Sequence, residues 1–376
     1  MLDVIPPGEG WHSDPFDPIE RDGYLIGRGV DDNKCAAIGA LHGLLAIKEL
    51  GIPARHPLRL FGGTNEEVGM EDLAYYTEHY PCPKHSIIPD SGFPVCYGEK
   101  GSMTLELVSD MPACDRLLSL KGGDALNTVP ERAQAVINGR PSADVPEEIA
   151  LTQHDKLLTV DAKGIPGHIA FPEGSKNAIG CLTGFLKNCG VDPDRMAFLH
   201  TLTSESDGKA LGISQSDDIS GPLTCVGVTV ALREDRTYQL KLGIRYPVTT
   251  DWNTIVEAVK RAAKPYGFTV HVVKNSAPNL YPADSPAVKA ITEIYQKATG
   301  ETREPFTMGG GTYARKLPNA FASGLIGGLP DSTRDGAFPA GCGGCHQPDE
   351  AIKMENLPLG AAIFAAGIAA ADMLLD

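Results

Sequence analysis

Acidic and histidine residues stand at four points where this chain changes texture. Asp31-Asp32 follow Gly27-Arg28-Gly29-Val30 and open a helical pattern. Glu66-Glu67 follow Gly62-Gly63-Thr64-Asn65, Asp90 lies within Ile88-Pro89-Asp90-Ser91-Gly92-Phe93-Pro94, and His346 leads His346-Gln347-Pro348-Asp349-Glu350. In an open α/β sheet, ligands collect at the carboxyl ends of the strands. Carboxylates gathered there repel one another unless a cation joins them. Asp, Glu and His are also the oxygen and nitrogen donors of hydrolytic Zn or Mn sites. Taken singly, each signal is weak. A Glu-Glu pair is more often a solvated helix start, an Asp-Asp pair a cap, and a lone His a surface residue.

The elements that must position these groups read as α/β at both ends of the chain. Residues 33–50 carry Ala37, Leu41, Leu44, Leu45 and Ile47 at helical spacing and close on Gly51. Residues 58–64 read as a strand and 70–80 as the helix after it. Near 277–300, Asp284 and Ser285 suit a cap, Pro286 the first helical position and Gly300 the stop. The middle is richer in strands. Residues 238–244 alternate apolar and polar, and 103–108, 156–160, 228–232 and 268–273 are further candidates. Helices are expected near 177–186 and 254–263. The expected organisation is an α/β domain over 1–100, interrupted by an α+β insertion over 101–278 and resumed over 279–376.

Composition sets outer limits. The 376 residues suggest two or three domains. The 42 glycines and 29 prolines stay below the roughly 25–30% of low-complexity chains. A net charge of −15 repels phosphate, so no nucleic-acid partner is expected. Nine cysteines at irregular spacing read as free thiols of a reducing cytoplasm. The segment Met1-Leu2-Asp3-Val4-Ile5-Pro6-Pro7 has neither a basic nor a long apolar region, so it does not read as a signal peptide. Residues 357–371 are Ala- and Gly-rich and shorter than the roughly 20 residues of a span. They read as a buried helix, and no membrane partner is expected.

In this order, the motifs resemble the co-catalytic metallopeptidases that include acetylornithine deacetylase, succinyl-diaminopimelate desuccinylase, carboxypeptidase G and the PepV dipeptidase. The likeness runs from Asp3-Val4-Ile5-Pro6-Pro7-Gly8-Glu9-Gly10-Trp11 to the His346 motif. It includes Gly98-Glu99-Lys100-Gly101 and Gly309-Gly310-Gly311-Thr312-Tyr313-Ala314-Arg315. It is closest to the PepV type. It implies an α/β, zinc-peptidase-like catalytic domain with a mostly parallel sheet, interrupted by an α+β lid. It also implies two divalent metal ions, Zn or Mn, with Asp32 bridging them, Glu67 and His346 on one and Asp90 on the other. Glu66 resembles the general base and Asp3 the Asp beside the site. In the insertion, Gly122-Gly123-Asp124-Ala125-Leu126-Asn127 resembles the segment with a substrate-binding Asn, here Asn127. His168, within Gly164-Ile165-Pro166-Gly167-His168, resembles an oxyanion-stabilising His. Arg245, within Ile244-Arg245-Tyr246-Pro247, resembles a carboxylate-binding Arg.

The implied function is hydrolysis of short peptides with a free C-terminal carboxylate by a cytoplasmic monomer whose lid closes over the substrate. An N-acyl-amino-acid deacylase and a non-catalytic peptide-binding relative are the alternatives. The sequence departs from the resembled pattern at one point. Met1 stands where a metal-binding His should precede Asp3 by two residues, and the helix and strand of the family's N-terminus are lacking. The expectation is a fragment or mis-assigned start, against a genuine short protein with a damaged site, with the first metal short of a ligand and residues 1–376 alone poorly soluble or unstable, binding fewer than two metals and showing little or no hydrolysis. His12, after a Gly-Trp turn, is a poor substitute ligand. Cys35 replaces a usual Gly, with no catalytic role expected. Cys342-Gly343-Gly344-Cys345-His346 also fits the c-type haem attachment pattern, in competition with the metallopeptidase reading of His346.

Overall fold

A computed structural model describes residues 1–141, 143–329, 336–339 and 341–375. Among them, seven α-helices run in chain order. They are α1 (Cys35–Glu49), α2 (Glu71–His79), α3 (Ala178–Asn188), α4 (Pro193–Ser204), α5 (Trp252–Ala263), α6 (Pro286–Thr299) and α7 (Asn356–Leu374). The chain divides into two compact units, Met1–Glu99 with Asn279–Asp376, and Lys100–Pro278.

The first unit holds a five-stranded sheet. Its central strand, Cys96–Glu99, pairs antiparallel with Asn279–Leu280 and Ala320–Ala322 and parallel with Phe306–Met308. Ala320–Ala322 pairs parallel with Ser86–Ile88. The pairings therefore divide evenly, where a mostly parallel sheet was expected. Residues 58–64, expected as a strand, join no sheet. A strand needs a ladder partner. Here Leu2 N–H donates to the Gly63 carbonyl at 2.7 Å, with no ladder along the segment. Leu58 and Leu60 remain more than 40% exposed.

Helix α1 buries a different face from the one its large residues suggest. Cys35, Ala36, Gly39, Ala40, Gly43 and Ile47 are inside, while Leu41 and Leu45 are exposed. Small residues allow close approach: a Cβ on Gly43 would lie 3.0 Å from the Ala365 nitrogen and 3.1 Å from Phe364 Cβ. Helix α7, the partner, is 19 residues long, and by length and composition it could cross a membrane. It packs instead on α1 and α6, with Gly367 against Ile291. Helix α6 starts as its sequence dictates. Ser285 Oγ accepts from Val288 N–H at 3.2 Å, Pro286 is the first helical residue, and Gly300 adopts φ 77° at the stop.

The second unit is an eight-stranded sheet, antiparallel at every pairing. Its order is Phe268–Ser276, Gly101–Ser109, Tyr238–Tyr246, Thr224–Leu232, Leu117–Gly122, Arg132–Asn138, Leu157–Lys163, Ile149–His154. Alternate residues of these strands, among them Leu105, Leu107, Ile137 and Val160, form one core with Ile179, Leu182 and Phe185 of α3 and Ile255 and Val259 of α5. Helix α4, unmarked in the sequence reading, adds Met196, Leu199 and Leu202.

Candidate metal centre

Three loops of the first unit carry the candidate ligands. The first is the turn Val30–Lys34. Gly29 enters it at φ 82°, and a Cβ there would lie 2.4 Å from Val4 Cγ1, so only glycine fits. Asp31, fully buried, ties the turn to two other segments. Its carboxylate accepts from Gly327 N–H at 3.1 Å and from the Cys345 thiol at 2.9 Å. The second loop carries Glu66 and Glu67. Asn65 Oδ1 accepts from Glu71 N–H, Asp72 Oδ2 accepts from Thr64 N–H and Tyr313 O–H, and Asp3 Oδ2 accepts from Glu67 N–H at 3.0 Å. The third carries His346, at φ 63°.

These loops bring Asp32, Glu67 and His346 together, with one potential ligand atom from each within 4.8 Å of the others. His346 Nε2 lies 3.0 Å from Asp32 Oδ2 and 3.4 Å from Glu67 Oε1. Donors at about 2.0–2.2 Å from a tetrahedral cation sit roughly 3.4 Å apart, so the spacing fits a metal ion. Asp32 Oδ1 is buried with no hydrogen-bond partner, and so is Asp3 Oδ1. A bound cation would satisfy the Asp32 atom. Asp90, just past the strand Ser86–Ile88, is buried and accepts from Asn33 Nδ2.

The electrostatics also call for positive charge. Burial, then the Asp90, Glu67, Asp32 and Asp3 carboxylates, push Glu66 up to about 9. Burial and the Asp32 carboxylate push Asp90 up to about 7. Hydrogen bonds to Asp32 and Glu67 raise His346 to about 10. Each group holds its proton more tightly folded than unfolded. Metal-free protein therefore loses stability as pH rises from the unfolded pKa values, near 4 for the acids and 6.5 for His, through the folded ones. Its Tm is expected to fall between pH 6 and 9, and saturating Zn²⁺ or Mn²⁺ should flatten or reverse that slope. Thermal melts across that range with and without metal check this; a metal-free Tm that is flat or rises would contradict it.

Asn127, His168 and Arg245 lie in the second unit, near one another. Ile169 N–H donates to the Asn127 carbonyl at 3.1 Å, and Thr128 and His168 form an antiparallel bridge. Gly243, on the same sheet face as Arg245, faces Leu126 and Ile169. Arg245 itself pairs across the sheet with Thr224, whose hydroxyl donates to the Ile169 carbonyl, and donates to Ser102 Oγ at 2.7 Å.

His12 is elsewhere: its backbone N–H and its Nδ1 both face the Asp349 carboxylate. Cys345 and His346, the end of the haem-like motif, face Asp31 and the Asp32–Glu67 pair. The sequence reading gave no role to Arg28 and Glu350, which form a buried ion pair at 2.5 Å behind the Asp32 turn. An Arg and a Glu inside two motifs that already carried ligand candidates were the available signal.

The sequence profile of peptidase family M20/M25/M40 matches residues 2–370. "Putative dipeptidase YtjP" of Bacillus subtilis (strain 168) is 32% identical over 392 residues, covering 98% of this chain and 81% of the relative. The Beta-Ala-Xaa dipeptidase of Lactobacillus delbrueckii subsp. lactis is 29% identical over 388 residues, covering 98% and 80%. Among solved structures, human carnosine dipeptidase 1 aligns with a TM-score of 0.58 at 14% identity, over 99% of this chain and 79% of its own. The metallo-carboxypeptidase Sso-CP2 of Sulfolobus solfataricus aligns at 0.53 with 16% identity, over 99% and 83%. These two likenesses concern the fold.

Proposed function

The chain belongs to peptidase family M20/M25/M40, and from that premise we propose that it is a metal-dependent dipeptidase acting on short peptides with a free C-terminal carboxylate. The observation that carries this reading is the Asp32–Glu67–His346 cluster with Glu66 beside it. The dipeptidase name of the Lactobacillus relative supports the substrate class.

Two divalent cations, Zn²⁺ or Mn²⁺, would supply an activated water and polarise the scissile carbonyl. In this reading Asp32, Glu67, His346 and Asp90 would hold them. Asp3 fixes the Glu67 backbone through its Oδ2. Glu66 takes the proton of the attacking water at its carboxylate and delivers it to the leaving amine. Its raised proton affinity suits the second half of that exchange. In the insertion, Asn127 and His168 are read as the groups that donate to the substrate and its developing oxyanion. The Arg245 guanidinium offers a fork for a free carboxylate. All nine cysteines are free, which supports a cytoplasmic setting.

Arg245→Lys keeps the charge and loses the planar fork. It is expected to raise KM for free dipeptides about tenfold or more and to change little for a C-terminally amidated analogue, itself a poor substrate. Steady-state kinetics on free dipeptides, amidated dipeptides and N-acyl amino acids test the reading. Equal effects on both dipeptide forms would refute carboxylate recognition, and faster hydrolysis of N-acyl amino acids would make the protein a deacylase.

A further inference from the structure

Glu350 is fully buried, and all its polar contacts point at the segment that carries Asp32. Its Oε1 accepts from the backbone N–H groups of Asp31 at 2.9 Å and Asp32 at 2.8 Å. Its Oε2 accepts from Gly29 N–H at 3.1 Å and from Arg28 Nη1 at 2.5 Å. Its backbone carbonyl accepts from Gly27 N–H at 2.9 Å. One residue further on, Ala351 pairs with Ile26 in a short three-stranded sheet. The guanidinium of Arg28 is held in turn by the Pro7 carbonyl and stacks over Trp11, 5.1 Å from the ring centroid.

The consequence is geometric. Residues 27–32 and 346–350 come from opposite ends of the chain, and each contributes one member of the 3.0 Å Asp32–His346 contact. Glu350 joins the two segments through four of these contacts, beside the single hydrogen bond from the Cys345 thiol to Asp31. A carboxylate suits this task because it accepts at two oxygens at once, here from four donors. An amide in its place would turn an NH₂ group toward backbone N–H groups and leave the buried Arg28 charge unmatched.

We infer that Glu350 is a positioning residue, whose carboxylate holds the Gly29–Asp32 turn against the His346 segment and so sets the separation of two metal-ligating atoms. This rests on Asp32 and His346 being ligands. Groups that orient ligands typically contribute about 10–100-fold to metal affinity.

The experiment measures Zn²⁺ affinity by competition with a chromophoric chelator, and the visible absorption of the Co²⁺-loaded protein, in wild type and variants. Glu350→Gln is expected to weaken Zn²⁺ binding about 10–100-fold and to alter the Co²⁺ spectrum. Glu350→Asp keeps the charge beside Arg28, so it guards against a variant that does not fold. Its carboxylate is one methylene too short for all four donors, and about tenfold weaker binding is expected. Glu99→Gln is the matched control. Glu99 is another buried carboxylate paired with an arginine, Arg315, at 3.1 Å. It should lower Tm and leave affinity and spectrum unchanged. Folded Glu350 variants with wild-type affinity and spectrum, differing only in Tm, would overturn the inference. His346→Ala separates the two levels. If it weakens Zn²⁺ binding while the Glu350 variants do not, the positioning role fails alone. If it does not weaken binding, the ligand assignment fails first.

Discussion

Asp32→Ala is expected to empty the centre of metal and abolish measurable hydrolysis. The two oxygens of Asp32 have different surroundings. Oδ2 lies 3.0 Å from His346 Nε2, on the side shared with Glu67, while Oδ1 is buried without a hydrogen-bond partner. A carboxylate with one oxygen in a ligand cluster and the other buried and unmatched is suited to bridging two cations. Its removal would cost both ions, where His346→Ala costs one. The loss of affinity should exceed the roughly 10–100-fold produced by losing a group that merely orients a ligand. Elemental analysis after gel filtration reads this directly. An Asp32→Ala protein holding as much metal as wild type would refute the bridge.

Glu66→Gln should have the second largest effect, with the opposite signature: metal retained, turnover lost. A general base contributes about 10²–10⁴-fold, and on the proposed mechanism the same carboxyl also returns the proton to the amine, so a fall in kcat at the upper end of that range is expected. Glu67→Gln, one residue on, should instead weaken metal binding, since Glu67 Oε1 lies in the ligand cluster. A Glu66→Gln loss below tenfold would point to another base. Pairing the two variants separates proton transfer from metal binding on adjacent residues of one loop.

Asp32, Glu67 and His346 stand out in the sequence only as an ordered set, through the family resemblance, and the structure brings one potential ligand atom from each within 4.8 Å of the others. The cap, first turn and stop of α6 were legible too, because Ser285, Pro286 and Gly300 act locally. What escaped depends on partners distant in the chain. Residues 58–64 have the composition of a strand, but a strand is a paired object, and no ladder forms on them. On α1, large apolar residues suggested one buried face, while the close approach of α7 selected the face with Gly39 and Gly43. Helix α4 did carry a local signal, since Pro193 is its first residue, after Asp192. Its apolar residues, Met196, Leu199 and Leu202, carry no assignment in the sequence reading. Glu350 sits inside a motif that drew attention, but its partners could not be read from the sequence, because the four donors it serves lie more than 300 residues away.

The most direct test of a metal-dependent dipeptidase is turnover of a free dipeptide by the purified protein, followed through one cycle of chelation and repletion. The protein is dialysed against excess chelator, assayed, then assayed again after Zn²⁺ or Mn²⁺ is restored. The account predicts cleavage before chelation, none in chelator and recovery with metal. A rate that chelator leaves unchanged, or no cleavage of any free dipeptide with metal restored, would contradict it.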